Sequence, residues 1–286
     1  MDAARRLDID HSTVSRRIRR FEQTLGTRLF ERSNQGYALT AQGARLLEHA
    51  ERIETALQAA TDEVLGVNRA LSGQVRLGAT EAFGSFVIAP HLANFCARHP
   101  GITVDLLPVP RFVNLSKHEA DLAVTIERPA SGSYIVTKLA DYALKLYAAP
   151  AYLRAHAPIR DKTDLARHPF IGYVDDLVFS REMDYLRQVA PDSRVALRST
   201  SVIAQYAAAR RGRGLAILPC FLAQQNDDLI PVLDGETDVI RTFWLVVPAE
   251  RRRIARVDAL WTWLREAADA NREFLMGRSR EMRWID

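Results

Sequence analysis

From Leu46 to Leu71 the apolar residues Leu46, Ala50, Ile53, Leu57, Ala60, Val64, Val67 and Leu71 recur at alternating steps of four and three. This spacing constrains the chain more than any other feature. A strand alternates with period two, whereas a helix keeps these positions on one face. A repeat of about 3.5 residues held over more than three heptads argues for a coiled-coil seam. Glu48, Glu51, Arg52, Glu54, Asp62 and Glu63 lie between the seam positions as a solvated flank. Thr40 can cap such a helix and Ser72-Gly73 breaks it. The expected rod is about 40 Å long at about 1.5 Å per residue. The small Ala50 and Ala60 allow a partner helix to approach closely. The seam therefore asks for a second helix; the alternative is one long helix packed on its own domain. Either way the rod divides the chain into a short piece before it and a long piece after it.

The short piece contains Asp10-His11-Ser12-Thr13-Val14-Ser15-Arg16-Arg17-Ile18-Arg19-Arg20-Phe21-Glu22. At about 100° per residue, Val14, Ile18, Phe21 and Leu25 share one narrow face. Ser12, Ser15, Arg16 and Arg19 share the opposite one, with Arg17 and Arg20 toward the flanks. Asp10 can cap the helix through its carboxylate, and Gly26 is placed to end it. Hydroxyls and guanidinium groups on one face match guanine edges and phosphates, which is the layout of a recognition helix in a DNA major groove. A solvated basic face on an ordinary surface helix is the alternative. Asp2-Ala3-Ala4-Arg5-Arg6-Leu7 reads as a short helix before it. Leu29-Phe30-Glu31-Arg32 and Tyr37-Ala38-Leu39 flank Ser33-Asn34-Gln35-Gly36 and read as a hairpin. Beside a helix-turn-helix such a hairpin is a wing.

The long piece alternates strands and helices. Val75-Arg76-Leu77-Gly78 is a strand, Ala79-Thr80-Glu81-Ala82 a turn, and Phe86 to Arg98 a helix. Ile102–Leu107 and Asp121–Ile126 are further strands, so a mostly parallel α/β sheet is expected. Lys145-Leu146-Tyr147-Ala148-Ala149 starts a second sheet. It continues through Phe170–Tyr173, Val195–Arg198, Gly214–Pro219 and Arg241–Val247, with a helix from Val202 to Arg210. Val257 to Ala268 is an amphipathic helix, and the charged tail from Asn271 is expected to be loosely held.

Composition narrows the functional classes. The chain has 286 residues, of which 48% are hydrophobic, and a net charge of +4. It is long enough for two or three domains with real cores, and its mild positive excess suits a nucleic-acid binder whose charge is concentrated in one place. Cys96 and Cys220 are far apart, lie in apolar segments and read as buried structural thiols. No stretch reaches about 18 apolar residues, so no transmembrane helix is expected. The charged N-terminus lacks an apolar signal core, and the cytosol is the expected compartment. The seven histidines are scattered without metal-ligand spacing. No GxSxG, P-loop or strand-coupled GxGxxG occurs. Neither an enzyme nor a metal or cofactor protein is expected.

Residues 2–43 resemble the winged helix-turn-helix of the LysR-type transcriptional regulators. The resemblance rests on Ala3-Ala4, Leu7, Val14-Ser15-Arg16-Arg17-Ile18, then Phe21-Glu22-Gln23-Thr24-Leu25-Gly26-Thr27-Arg28-Leu29-Phe30-Glu31-Arg32, and Leu39-Thr40-Ala41-Gln42-Gly43. His11-Ser12-Thr13 stands where the family usually has Gln-Pro-Ala, and Phe21 where it has Leu, which leaves the operator sequence open. The long piece is similar to the same family through Gly73–Gly78, Glu119–Val124, and Ser201 with Gly212–Pro219. The resemblance implies an α/β fold with a helical, winged head. Residues 1–40 would be the DNA-binding head, 41–72 a dimerising linker helix, and 73–286 a two-lobed effector domain like periplasmic binding proteins. Lobe I would take 74–144 and 249–286, and lobe II 145–248. The implied partners are double-stranded DNA, a small-molecule effector and further copies of the chain, as a homodimer or homotetramer. The seam positions Leu46, Ala50, Ile53, Leu57, Ala60 and Val64 would dimerise it. The family also places a helix of about one and a half dozen residues before the Ala3-Ala4 pair, where this sequence opens. The expectation is weaker operator binding than by a chain extended at that end.

The candidate DNA residues are Ser12, Ser15, Arg16 and Arg19 in the major groove, His11 near the helix start, and Arg32, Asn34 and Gln35 on the wing against phosphate or the minor groove. Open α/β sheets bind ligands at the carboxyl ends of strands beside helix N-termini. That singles out Thr80 and Glu81, Thr125 with Arg128, and Thr200 and Ser201, the last two doubling as capping residues. Hydroxyls and N–H groups there suit an anion or carboxylate. Glu81 would repel one if ionised, so it faces away or signals a cationic or neutral ligand. Phe112 and Tyr173 read as core aromatics. Two rival readings remain: a small-molecule-binding protein with a truncated, non-functional head, and an enzyme on a two-lobed fold.

Overall fold

The computed structural model describes residues 9–33, 36–65, 71–109, 115 and 119–285. Backbone contacts divide the chain into two units, Met1–Val64 and Leu65–Asp286.

In the first unit, helix α1 (His11–Leu25) leads into strands β1 (Phe30–Ser33) and β2 (Gly36–Leu39), then helix α2 (Ala41–Leu65). Asp10 is extended, and its carbonyl accepts the Thr13 and Val14 N–H groups at 2.9 and 3.1 Å. Its carboxylate makes no capping hydrogen bond, contrary to the sequence expectation; the carbonyl alone starts the helix. Gly26 adopts the left-handed conformation (φ 64°) that ends α1, and the Thr27 N–H returns to the Glu22 carbonyl. The Glu22 carboxylate reaches across this turn and accepts the N–H groups of Leu29 and Phe30 at 2.7 and 3.1 Å. β1 and β2 pair antiparallel from Phe30↔Leu39 to Ser33↔Gly36. Thr40 caps α2 as expected, its hydroxyl accepting the Gly43 N–H at 3.0 Å and donating to the Arg28 carbonyl at 2.7 Å. Gly43 is buried against the backbone of Leu29, and a Cβ there would overlap the Leu29 carbonyl oxygen. The family-like glycine, threonine and glutamate therefore have structural jobs: they lock hairpin, turn and helices together.

In the second unit, β3 (Gly73–Thr80) runs directly into a helical turn, Glu81–Phe83, with no loop between them. A π-helical turn, Gly84–Ile88, and helix α3 (Ala89–Arg98) continue it. Then come β4 (Ile102–Val109), β5 (Leu122–Thr125), β6 (Tyr134–Ala148), β7 (Pro169–Gly172) and β8 (Arg194–Arg198). Helix α4 (Val202–Arg210), β9 (Leu215–Pro219), β10 (Ile230–Pro231), β11 (Val239–Pro248) and α5 (Ala255–Ala270) follow. The strands form one nine-stranded sheet in the order β4-β3-β5-β11-β6-β9-β7-β8, with β10 on β6. A separate second sheet starting at Lys145 is thus corrected. β6 begins at Tyr134, and β6 and β11 are long enough to serve both halves. β11 pairs with β5 through Trp244–Val246, while β6 pairs with β9 through Leu144–Tyr147. A bulge at Phe243/Trp244 bends the β6–β11 ladder between those two regions. The β3–β4, β3–β5, β7–β8 and β7–β9 pairs are parallel, and β6 and β11 run against their neighbours, so the sheet is mixed rather than mostly parallel.

The tail is also corrected. Asn271 is buried, donates to the Ala267 and Arg283 carbonyls and accepts the Arg283 N–H at 2.7 Å. Phe274 and Leu275 are buried, and Asn94 holds the Ile285 carbonyl at 3.2 Å. Polar anchors on a buried Asn dock a segment whose composition alone looks solvent-borne. Cys220 is fully buried beneath the Tyr147 hydroxyl (3.3 Å), whereas Cys96 is only partly buried.

Candidate DNA-binding and effector sites

On α1, Val14 and Ile18 are half-buried, and Phe21 and Leu25 remain 48% and 46% exposed. The opposite face presents His11, Ser12, Arg16 and Arg19 to solvent, with Ser15 half-buried. Arg16 and Arg19 make no ion pair among the described residues. The two backbone N–H bonds hold the Glu22 carboxyl below the ordinary carboxylate range, with Arg28 and Arg19 adding attraction. Arg32 lies on β1, opposite Tyr37. Asn34, Gln35 and Phe112 lie outside the described residues, as do the side chains of Arg32 and Val64. Along α2, Leu46 is half-buried, Ala50 and Ala60 are exposed, and Ile53 and Leu57 are 68% and 67% exposed.

The second site lies within the nine-stranded unit. The carboxyl end of β3 delivers Thr80 and Glu81, and the N-terminus of α4 delivers Thr200 and Ser201. Ser201 caps α4 by accepting the Ala204 N–H at 3.1 Å, and its hydroxyl donates to Glu81 Oε1 at 2.9 Å. Ser199 supports it by accepting the Ser201 N–H at 3.1 Å. A second bond, Ser180 to Glu127 Oε1 at 2.5 Å, crosses between the same two halves. Thr80, Glu81 and Thr200 line a cavity of about 60 Å³ together with Phe83, Tyr142, Tyr173, Glu182, Met183, Tyr185, Phe221 and Phe243. Its aromatic wall is a column: Tyr142 stacks on Phe243 at 4.0 Å, and Phe243 on Phe83 at 4.1 Å. Burial, with a smaller push from Glu81, raises the Tyr173 hydroxyl to about 12, and burial pushes Tyr142 and Tyr185 well above the ordinary phenol value. All three phenols keep their protons at neutral pH.

The other two candidates point elsewhere. Thr125 donates to the Glu127 carbonyl at 2.6 Å, inside its own turn, and the Arg128 guanidinium lies over the Trp244 ring at 5.8 Å. Neither lines the cavity. Tyr173, read from sequence as a core aromatic, does line it, and so do six further aromatic residues that the sequence did not single out. They come from separate elements, and no spacing along the chain marks them as neighbours. Among the described residues no cluster of His, Cys, Asp and Glu is arranged to hold a metal ion, and no helix is long and apolar enough to cross a membrane.

A basic-faced helix with a wing hairpin, a heptad helix and a mixed α/β unit with an inter-lobe cavity fit an effector-responsive DNA-binding regulator; the helix expected over Asp2–Leu7 lies outside the described residues. Comparison with known proteins gives the same class. The LysR substrate binding domain profile matches residues 68–269, and the profile of bacterial regulatory helix-turn-helix proteins of the lysR family matches residues 1–44. The HTH-type transcriptional regulator PtxR of Pseudomonas aeruginosa is 28% identical over 272 residues, covering 92% of this chain and 86% of PtxR. The structure of CrgA, a LysR-type regulator from Neisseria meningitidis, superposes with a TM-score of 0.62 at 25% identity, covering 93% of this chain and 92% of CrgA. Full-length OxyR from Pseudomonas aeruginosa shares the fold at a TM-score of 0.68 and 18% identity, covering 92% of this chain and 91% of OxyR. The chain belongs to the LysR family of transcriptional regulators: it is a DNA-binding regulator with an effector-binding domain.

Proposed function

We propose that the outward face of α1 reads operator DNA, with Ser12, Ser15, Arg16 and Arg19 in the major groove and His11 at the helix start. Arg32, Asn34 and Gln35 on the wing then position the head on phosphates or in the minor groove. A small-molecule effector enters the cavity lined by Thr80, Glu81 and Thr200, with Ser201 holding Glu81, and modulates DNA binding or activation. Two or four copies associate, first through the α2 seam. The domain boundaries expected from sequence serve this reading: head 1–40, linker 41–72, effector domain 73–286. The supporting observation is the α1 face itself. Its arginines are solvent-facing and without ion partners among the described residues, while the apolar face turns the other way.

Base contacts specify and phosphate contacts position, and the two respond differently to substitution. Arg16→Ala is expected to cost about 1–3 kcal/mol on the cognate operator and to relax base preference. Arg32→Ala weakens all sequences alike and lowers the salt slope by about one. Fluorescence anisotropy on cognate and random duplexes at several salt concentrations separates them. Equal losses on both duplexes for both variants would remove Arg16 from base readout.

A further inference from the structure

Glu81 brings to the cavity wall a carboxylate that no cationic side chain among the described wall residues pairs. Its Oε1 accepts the Ser201 hydroxyl, but its Oε2 is sealed from solvent with no hydrogen-bond donor. The second acid of the wall, Glu182, is paired with Arg241 at 2.7 Å. Among the described residues the wall carries no Lys, Arg or His. The Tyr185 hydroxyl, also on the wall, is buried beside the Tyr173 hydroxyl. A buried acceptor with no donor is costly, and a low local dielectric raises that cost. The sequence left open an anion or, through Glu81, a cationic or neutral ligand, and Glu81 lines the cavity rather than facing away.

We propose that the cavity selects a small cation: an ammonium or amidinium head donating to Glu81 Oε2, on a compact apolar body that packs against the Phe83–Phe243–Tyr142 column. This rests on the cavity being the effector site. A head with two or three N–H donors satisfies Oε2 once the Glu81 carboxylate turns into the cavity from its sealed position. A carboxylate would meet Glu81 with like charge and bring no donor. The cavity volume, about 60 Å³, holds a head group and a few carbons. A longer body enters as the Ser201–Glu81 and Ser180–Glu127 bonds separate.

The test is ligand-detected NMR on the full 286-residue chain with three size-matched probes: ethylamine, ethanol and acetate. Wild type is compared with Glu81→Gln, which keeps the shape and removes the charge, and with Thr200→Phe, which fills the cavity. Ethylamine is expected to bind at least about tenfold tighter than acetate, the worth of one charge-assisted hydrogen bond. Glu81→Gln removes that preference and Thr200→Phe removes binding. Should Glu81→Gln not fold by thermal unfolding, Glu81→Ser gives the same reading. Acetate binding as tightly as ethylamine, and lost in Thr200→Phe, overturns the cation assignment while leaving the cavity as the effector site. Ethylamine binding that survives Thr200→Phe overturns the cavity itself, and no binding by any probe overturns the proposal.

Discussion

Glu22 shows how one side chain holds the head together. Its carboxylate spans the turn that Gly26 opens and satisfies two N–H groups that would otherwise face the helix end. Those bonds lower its pKa in the folded state relative to the unfolded chain. The linkage therefore has a definite sign: the stabilisation is complete above the unfolded carboxylate value and is lost as pH falls through the lower, folded one. Hydrogen exchange at the Leu29 and Phe30 amides, followed on acidification, is expected to accelerate across that window. Glu22→Gln, which cannot ionise, should show no such pH step; a step of equal size in both proteins would assign the effect to another group. Glu22, Thr40 and Gly43 were all legible in the sequence as motif letters. Their reason was not, because it lies in contacts with the Arg28, Leu29 and Phe30 backbone that exist only once the hairpin has formed.

At the scale of elements, local signals were read well and shared elements poorly. The bounds of α1, α4 and the wing hairpin follow from caps, helical periodicity and turn residues, all of which act within a few positions. β11 was read nearly whole as Arg241–Val247, but the part of β6 before Lys145 and the joining of both strands into one sheet escaped, because a long strand buried along much of its length has no clean alternation and its register depends on partners far away in the chain. The heptad of α2 is a local signal too, and it yields a test. Among the described seam residues, Ile53 and Leu57 are the large ones with most of their surface exposed in the single chain. Ile53→Lys with Leu57→Lys would place two charges in a helix–helix interface, at a cost of several kcal/mol unless they are paired. Sedimentation is expected to show a lower mass for the double variant at concentrations where the wild type is assembled. An unchanged mass would remove the seam from the interface.

Across the whole second unit, the candidate site was half legible: strand ends and a cap supplied Thr80, Glu81, Thr200 and Ser201, but the aromatic column needed the folded sheet. The consequential pair is Glu81 with Ser201, since one hydroxyl does two jobs. It caps α4 and it joins the two halves of the unit. Substitution can separate these roles. Ser201→Ala removes both, and the lost cap alone costs about 1 kcal/mol. Ser201→Asp keeps an oxygen that can accept the Ala204 N–H, and Asp caps as well as Ser. It also replaces a donor to Glu81 with a like charge, which disfavours the closed contact. The Ser180–Glu127 bond still crosses between the halves, beside the shared sheet. Hydrogen exchange by mass spectrometry is expected to show faster exchange in Ser201→Asp at residues 81–88, on the far side of the contact, while the first turn of α4 stays protected. Ser201→Ala should loosen the first turn of α4 as well. Protection at residues 81–88 that is unchanged in Ser201→Asp would mean that the Glu81–Ser201 bond does not join the halves and that closure rests on Ser180 and the apolar wall.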